Sequence, residues 1–173
     1  MSKKYIGVHY TSKTNEWATP EDFFDKLNKK YHFTLDPCAT KENAKCKKYY
    51  TKEDDGLAQS WENEVVFMNP PYGREIKHWI EKAYKESLRG AVVVCLIPSR
   101  TDTRYWWDFI FPHASDITFI KGRLKFGDSK NSAPFPSVLV EFNKRQLKTT
   151  LNKNVCIINC STIIDKEVFN ERK

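Results

Sequence analysis

Residues 64–73 read EVVFMNPPYG, and this stretch decides the fold class. Its apolar run predicts a buried strand, and the two prolines must end that strand because they cannot donate to a sheet ladder or continue a helix. EIKHWIEKAYKESLRG (75–90) then repeats apolar residues at helical spacing. AVVVCLIPS (91–99) is typical of a strand buried on both faces. Strand, helix and strand in this order predict a parallel pair.

Two segments before this unit have their own signals. TPEDFFDKLNKKY (19–31) predicts a helix with Thr19 as its N-cap and Pro20 at its first position. FTLDP (33–37) predicts a short strand that ends at an acid and a proline. The alternation of strands and helices favours an α/β fold.

Three segments after the unit complete the pattern. TRYWWDFIFPHA (103–114) predicts a helix that ends before Pro112, and DITFIKGRLKFG (116–127) predicts two short strands or one bent strand around its first glycine. SVLVEFN (137–143) predicts a late strand that can pair antiparallel with the preceding one. We therefore expect an α/β fold with a mostly parallel sheet and an antiparallel C-terminal edge hairpin.

The bulk properties limit the class of protein. A chain of 173 residues suits one main domain, and the formal charge of +7 favours a polyanionic partner such as DNA. Five cysteines without CxxC spacing, and an N-terminus without the apolar core of a signal peptide, predict a cytoplasmic location and no metal site. The apolar runs are too short to span a membrane.

Polar chemistry is expected at one rim of the sheet. Ligands of such sheets bind at the carboxyl ends of the strands, where LDPCA (35–39) and MNPPY (68–72) both end. The Asn69 amide oxygen and the Pro70 carbonyl can accept hydrogen bonds from a single amino group, which would stabilise the positive charge that develops when that nitrogen attacks a methyl group. Tyr72 offers a ring on which a planar substrate can stack.

These motifs, taken in order, resemble one family. The segments NEWATPEDFF, LDPCAT, EDDGLAQSW, VVFMNPPYG, IPSRTDTRYWWDFIF and FIKGRLKFG, spread over about residues 15–143, are similar to the phage-type Dam family of DNA N6-adenine methyltransferases. The resemblance implies a Rossmann-like fold that binds S-adenosylmethionine and methylates the exocyclic amine of an adenine flipped out of DNA. No metal is implied, since the sulfonium already activates the methyl group. One departure is that LDPCATKENAK contains no glycine, where many methyltransferases have a glycine-rich loop.

The resemblance also implies roles for individual residues. The catalytic tetrapeptide would be Asn69, Pro70, Pro71 and Tyr72. The cofactor residues would be Trp17, Thr19, Pro20, Asp36, Pro37, Cys38, Ala39 and Asn69, together with Asp54 or Asp55, which the sequence does not separate. Asp36 would contact the methionine end of the cofactor, and the Asp54 and Asp55 pair would lie near its adenosine end. As an alternative, Asp36 is simply a helix or turn cap.

Basic loops near the rim predict the contacts with DNA. The residues expected there are Arg100, Arg104, Lys121 and Arg123, with Trp106 as a base or backbone contact. Helical spacing predicts that at least one of the two adjacent tryptophans packs in the core.

Several alternatives remain open at this point. Similar NPPY motifs occur in enzymes that methylate RNA, cytosine or a protein glutamine, and a catalytically silent DNA-binding module would share the fold. The predicted organisation is an N-terminal arm (1–14), a methyltransferase domain (15–143) and a C-terminal extension (144–173) of unassigned role. Within that extension VCIIN (155–159) suits either an extra strand or a partner surface.

Overall fold

The computed structural model describes residues 17–127, 129, 131–144 and 154–159, so the predicted N-terminal arm lies outside the described residues. Its helical elements are α1 (Glu21–Tyr31), α2 (Ile76–Leu88), a π-helical turn (Trp106–Ile110) and α3 (Phe111–His113). The strands are β1 (Leu35–Asp36), β2 (Lys48–Tyr49), β3 (Val65–Met68), β4 (Val92–Pro98), β5 (Asp116–Lys121), β6 (Ser137–Asn143) and β7 (Asn154–Asn159).

The strands form one seven-stranded sheet in the order β2-β1-β3-β4-β6-β5-β7. All neighbouring pairs are parallel except those made by β6, which is antiparallel to both β4 and β5. The α/β class, the parallel β3–β4 pair across α2 and the antiparallel β5–β6 hairpin are therefore confirmed. Because only β6 is reversed, its first residue lies at the same rim as the last residues of β1, β3, β4 and β5.

β7 resolves the choice left open for VCIIN. Residues 154–159 pair in parallel with β5, from Asp116↔Asn154 to Lys121↔Asn159. This part of the C-terminal extension therefore adds a strand to the sheet beyond the predicted hairpin.

The start of α1 differs from the prediction. The residue before the helix is Pro20, with φ −58° and ψ 140°, and no side chain caps the first turn. Thr19 is therefore not the N-cap, and Pro20 precedes the helix rather than opening it. The extended Pro20 backbone leaves Thr19 two residues before the first residue of the helix, where its side-chain oxygen accepts a hydrogen bond from Asn69 instead.

The helical segment after β4 also corrects two predictions. It does not end before Pro112, which lies inside α3. The preceding π-helical turn widens the helix, and Pro112 follows at a position where its missing N–H donor is tolerated. The Phe111 N–H donates to the Trp106 carbonyl five residues back. This turn directs Trp106 into the core with no exposed surface and leaves Trp107 65% exposed. Trp106 therefore cannot contact DNA as predicted.

β5 ends earlier than expected. It stops at Lys121, Gly122 has a φ of +95°, and no strand resumes before Gly127. The positive φ turns the chain out of the sheet, so GRLKFG belongs to a loop rather than to a second strand. That loop, residues 122–136 with positions 128 and 130 outside the described residues, lies at the rim of the sheet.

Candidate active site

An open cleft of about 1480 Å³ lies beside the carboxyl ends of β1 and β3. This location confirms the prediction that the two punctuated strand ends point to one rim. Most of the predicted site residues line the cleft: Trp17, Thr19, Asp36, Pro37, Cys38, Ala39, Asp54, Asp55, Asn69, Pro70 and Pro71. Two predicted residues, Pro20 and Tyr72, are not part of its lining.

The Asn69 amide is held in one orientation. Its Nδ2 donates hydrogen bonds to the Trp17 carbonyl and to Thr19 Oγ1, the latter at 2.9 Å. Both donors of the amide are therefore satisfied by the segment before α1. The side-chain oxygen, Oδ1, is left as the acceptor that the amide can offer to a ligand in the cleft.

Tyr72 is buried behind Asn69. Only 5% of its surface is exposed, and its ring meets Phe126 and Phe135 edge-on with centroids 6.2 and 5.4 Å away. Its hydroxyl donates to Asn69 Oδ1 at 2.7 Å and lies 3.2 Å from the Leu96 carbonyl. The ring thus does not present a face to the cleft, and the hydroxyl fixes the position of Asn69. The stacking role stays a prediction that requires the ring to become exposed.

Asp36 holds the turn after β1. Its Oδ1 accepts the Cys38 N–H at 3.2 Å and its Oδ2 accepts the Lys45 N–H at 3.1 Å. Burial raises the pKa of this carboxyl to about 6, although those two backbone donors oppose the shift. Asp36 therefore caps the turn and at the same time places a poorly solvated carboxylate on the cleft wall.

The two adjacent acids in EDDGL are now distinguished by their partners. Asp54 Oδ2 accepts hydrogen bonds from the Thr51 N–H and hydroxyl, both at 2.8 Å, and these bonds lower the pKa of the Asp54 carboxyl. Asp55 has a φ of +50°, and within the described residues its carboxylate makes no hydrogen bond or ion pair. Both residues line the cleft, but only Asp55 has a carboxylate that is not already engaged there.

Gly56 and Trp79 also line the cleft, and the sequence did not single them out. A Cβ on Gly56 would lie 2.2 Å from the Pro37 carbonyl oxygen and 3.2 Å from Trp79, so only glycine allows this approach. The indole N–H of buried Trp61 donates to the Gly56 carbonyl at 3.0 Å. A glycine after two acids is a sequence signal for such a close approach, whereas the amphipathic pattern of α2 marked Trp79 only as a helix residue.

The comparison with known families agrees with this geometry. The family described as DNA N-6-adenine-methyltransferase (Dam) matches residues 9–167. The chain belongs to the Dam family. The predicted resemblance is thus confirmed, and the match extends beyond both ends of the segment from which it was inferred.

Individual relatives give the same result. The DNA N-6-adenine-methyltransferase of Escherichia phage T1 is 28% identical over 125 residues, which cover 70% of this chain and 52% of the phage protein. YfdM, a candidate methyltransferase of Escherichia coli strain K12, is 38% identical over 65 residues, 34% of this chain and 71% of YfdM. This Dam-family chain therefore spans about half the length of its phage relative.

A solved structure is also similar to this Dam-family chain. It is a candidate class I S-adenosylmethionine-dependent methyltransferase of Listeria monocytogenes, with a TM-score of 0.42 and 17% identity over 70% of this chain and 45% of the other.

The loop of residues 122–136 closes one side of the site in this Dam-family chain. The Gly127 N–H donates to the Ala18 carbonyl at 2.8 Å. Trp17 packs edge-on against Phe126 and Phe135, with ring centroids 5.5 and 5.0 Å away. The loop thus holds the segment that in turn orients Asn69, which the sequence pattern gave no reason to expect.

The residues predicted to contact DNA divide into two groups. Arg100 and Arg123 line a second, smaller pocket of about 370 Å³ with Pro134, Phe135 and Pro136. Lys121 is exposed at the end of β5, and Arg104 is exposed with its guanidinium 3.6 Å from Asp108. These four basic residues lie at or near the rim, whereas Trp106 is buried.

Within residues 17–127, 129, 131–144 and 154–159, no group of three or more His, Cys, Asp or Glu side chains is arranged to hold a metal ion. In the same part of the chain, no helix is long and apolar enough to cross a membrane.

Proposed function

We propose that this Dam-family chain transfers a methyl group from S-adenosylmethionine to the exocyclic amino nitrogen of adenine in DNA. The observation that carries the proposal is the fixed amide of Asn69 at the end of β3, beside the cleft. Family membership and the phage relative support adenine in DNA as the acceptor.

Asn69 and Pro70 supply the electrostatics of the reaction. With Nδ2 bound to Trp17 and Thr19, Asn69 Oδ1 accepts one N–H of the adenine amine and the Pro70 carbonyl accepts the other. Oδ1 has two lone pairs, so it can keep the Tyr72 hydroxyl as a donor while it accepts from the substrate. Acceptors placed before the reaction stabilise the positive charge that develops on the attacking nitrogen.

The residues of the cleft fit the cofactor. S-adenosylmethionine, when bound, supplies the electrophilic methyl group. The buried Asp36 carboxylate would hold its ammonium group, the Asp55 carboxylate would accept hydrogen bonds from the ribose hydroxyls, and Trp79 gives an apolar wall for the adenine ring. Gly56 keeps that wall close to Pro37.

The DNA partner is supported by charge and by position. The chain has a formal charge of +7, and Arg100, Arg104, Lys121 and Arg123 lie at or near the rim that carries Asn69. Since the amino group of adenine is paired inside duplex DNA, the base must leave the stack to reach Asn69, at a cost of a few kcal/mol.

The test is a product analysis. The protein is incubated with unmethylated DNA and methyl-labelled S-adenosylmethionine, and the DNA is digested to nucleosides for mass spectrometry. We expect label in N6-methyladenine, and Asn69→Ala should reduce turnover by roughly a hundredfold or more, as loss of one oriented polar group does in other active sites.

Controls separate chemistry from folding. Asn69→Ala should keep its affinity for S-adenosylhomocysteine and DNA, and Lys85→Gln, a change on the exposed side of α2, should match the wild type. Label in cytosine, in RNA or in a protein glutamine would reject adenine as the acceptor. Binding to DNA without any transfer would identify a silent binding module.

A further inference from the structure

Trp61 lies directly behind one wall of the cleft. Its side chain has no exposed surface, and it is not part of the cleft lining. Its indole N–H donates to the Gly56 carbonyl at 3.0 Å, and its ring stacks on that of Trp79, with centroids 6.2 Å apart and an interplanar angle of 20°. Gly56 and Trp79 both line the cleft, so one buried side chain contacts two parts of the same wall.

The backbone at Gly56 is tightly packed. A Cβ on this residue would lie 2.2 Å from the Pro37 carbonyl oxygen and 3.2 Å from Trp79 Cη2, so Gly56 fits between the turn after β1 and helix α2. The preceding residue, Asp55, has a φ of +50°, and its carbonyl accepts the Ala58 N–H at 2.9 Å. The hydrogen bond from the indole therefore fixes the backbone next to the carboxylate that we place at the ribose.

Glu86 anchors Trp61 to α2. Its Oε2 accepts the Trp61 backbone N–H at 2.8 Å, and only 2% of its surface is exposed. Its Oε1 accepts hydrogen bonds from Lys82 Nζ at 3.0 Å and from Arg89 Nη1 at 3.3 Å. Lys82 Nζ also lies 5.6 Å from the centroid of the Trp61 ring. Because a buried carboxylate is costly without partners, this arrangement holds Glu86 and Trp61 together.

We infer that Trp61 is a positioning residue for the cofactor and that Glu86 acts through it. The indole N–H and ring hold Gly56 and Trp79 in place on the side of the cleft proposed for the adenosine part of S-adenosylmethionine. This inference rests on the proposed function for the identity of the ligand. It goes further in assigning part of the cofactor affinity to two residues that do not line the cleft.

The first test measures affinity for S-adenosylhomocysteine by calorimetric titration. Trp61→Phe removes the indole N–H but keeps an aromatic ring beside Trp79, and the Kd should rise about three- to tenfold because Gly56 loses its hydrogen bond. Trp106→Phe is the matched control, which should keep the wild-type Kd. Trp106 is equally buried, and within the described residues its indole nitrogen makes no hydrogen bond to the cleft lining.

Two outcomes of the titration would overturn the inference. The first is a Kd for Trp61→Phe equal to that of the wild type. The second is an equal loss of affinity in Trp61→Phe and Trp106→Phe, which would show that removing any buried indole weakens binding through general destabilisation.

Kinetics separate positioning from chemistry. In Trp61→Phe the KM for S-adenosylmethionine should rise, while kcat at saturating cofactor and the affinity for DNA stay within about twofold of the wild type. The reason is that Asn69 is held by Trp17 and Thr19 rather than by this wall. A fall in kcat with an unchanged KM would overturn the assignment to the cofactor.

Glu86→Gln is a second variant, which decides the question if Trp61→Phe does not fold. The amide offers one acceptor oxygen where the carboxylate offers two, and it lacks the charge, so the Kd for S-adenosylhomocysteine should rise about threefold. Glu81→Gln on the same helix is its control, since Glu81 pairs with Lys85 at 2.7 Å near the surface. Equal Kd values for the two Gln variants would overturn the role of Glu86.

Hydrogen exchange tests the positioning without a ligand. The Asp55 N–H donates to the Lys52 carbonyl at 3.3 Å and the Ala58 N–H to the Asp55 carbonyl at 2.9 Å. Mass spectrometry should show faster exchange in residues 51–60 of Trp61→Phe but not of Trp106→Phe, because only the first variant releases this loop. Exchange at the wild-type rate in Trp61→Phe would overturn the inference.

Failure of this inference is distinguishable from failure of the proposed function. A wild type that binds no S-adenosylhomocysteine would reject both. A wild type that binds it and methylates adenine, together with a Trp61→Phe variant that has the wild-type Kd and exchange rates, would reject the positioning role alone.

Discussion

The Tyr72 hydroxyl lies 2.7 Å from Asn69 Oδ1, on the buried side of the amide, whereas Asn69 Nδ2 is held by the segment before α1. A tyrosine placed in this way contacts the Asn69 amide through its hydroxyl rather than through its ring. The NPPY motif alone does not show whether Tyr72 stacks on a substrate or orients Asn69. The hydrogen bond between the two side chains favours the orienting role.

Tyr72→Phe removes only the hydroxyl. If the hydroxyl orients Asn69, kcat should fall by about tenfold, the equivalent of a hydrogen bond worth about 1.4 kcal/mol, while the KM for DNA changes little. Steady-state kinetics check this. A kcat equal to the wild-type value, combined with a large loss in Tyr72→Ala, would instead favour the stacking role.

Thr19→Val tests the other side of the same amide. The change keeps the shape of a buried side chain, 5% exposed, but removes the oxygen that accepts from Asn69 Nδ2. We expect kcat to fall by about three- to tenfold because one donor of Asn69 loses its partner. Thr19→Ser should restore the activity, and a variant without the hydroxyl that retains full kcat would contradict the orienting role.

Gly56→Ala should damage the cleft wall. The added Cβ would meet the Pro37 carbonyl at 2.2 Å, so backbone must move, and we expect a loss of about 1–3 kcal/mol in the free energy of unfolding. Calorimetric titration with S-adenosylhomocysteine should show a loss of affinity of about tenfold or more, the equivalent of about 1.4 kcal/mol. Gly90→Ala, strained by its φ of +103° after α2, is the control that loses stability without losing affinity.

Asp36 should make stability depend on pH. Its pKa is raised from 3.8 to about 6 by burial, so the folded state binds the proton more tightly than the unfolded state does. The stabilising effect of protonation is present below pH 4 and is lost as the pH rises through 6, a change of about 3 kcal/mol. Urea unfolding of the wild type should show this fall relative to Asp36→Asn. If the free energy of unfolding had the same pH dependence in both proteins, Asp36 would not be the source of the effect.

The adjacent tryptophans provide a matched pair. Trp106→Ala leaves a large cavity in the core and should lower the free energy of unfolding by about 3–5 kcal/mol. Trp107→Ala removes a side chain that is 65% exposed and should cost less than about 1 kcal/mol. Chemical denaturation of both variants measures these losses. Equal losses in the free energy of unfolding would contradict the placement of Trp106 in the core and Trp107 at the surface.

Local sequence determined the elements and their order. The apolar run before Asn69, the amphipathic α2 and the run Val92–Pro98 each specify their own conformation through periodicity and proline placement, and parallel pairing follows from chain connectivity. The same reasoning located the rim, because strands that run in parallel must end together. Most of the predicted cleft residues therefore lie where they were expected.

The tertiary structure alone decided which partner each side chain meets. Thr19 satisfies the local rule for an N-cap, yet its hydroxyl binds Asn69, 50 residues away in the chain. Trp106 is buried and Trp107 is exposed because the π-helical turn directs the two side chains to opposite sides. Arg100 and Arg123 line one pocket because β6 lies between β4 and β5 in the sheet. Periodicity describes a segment by itself, whereas these contacts depend on packing between distant segments, which is why only the folded chain specifies them.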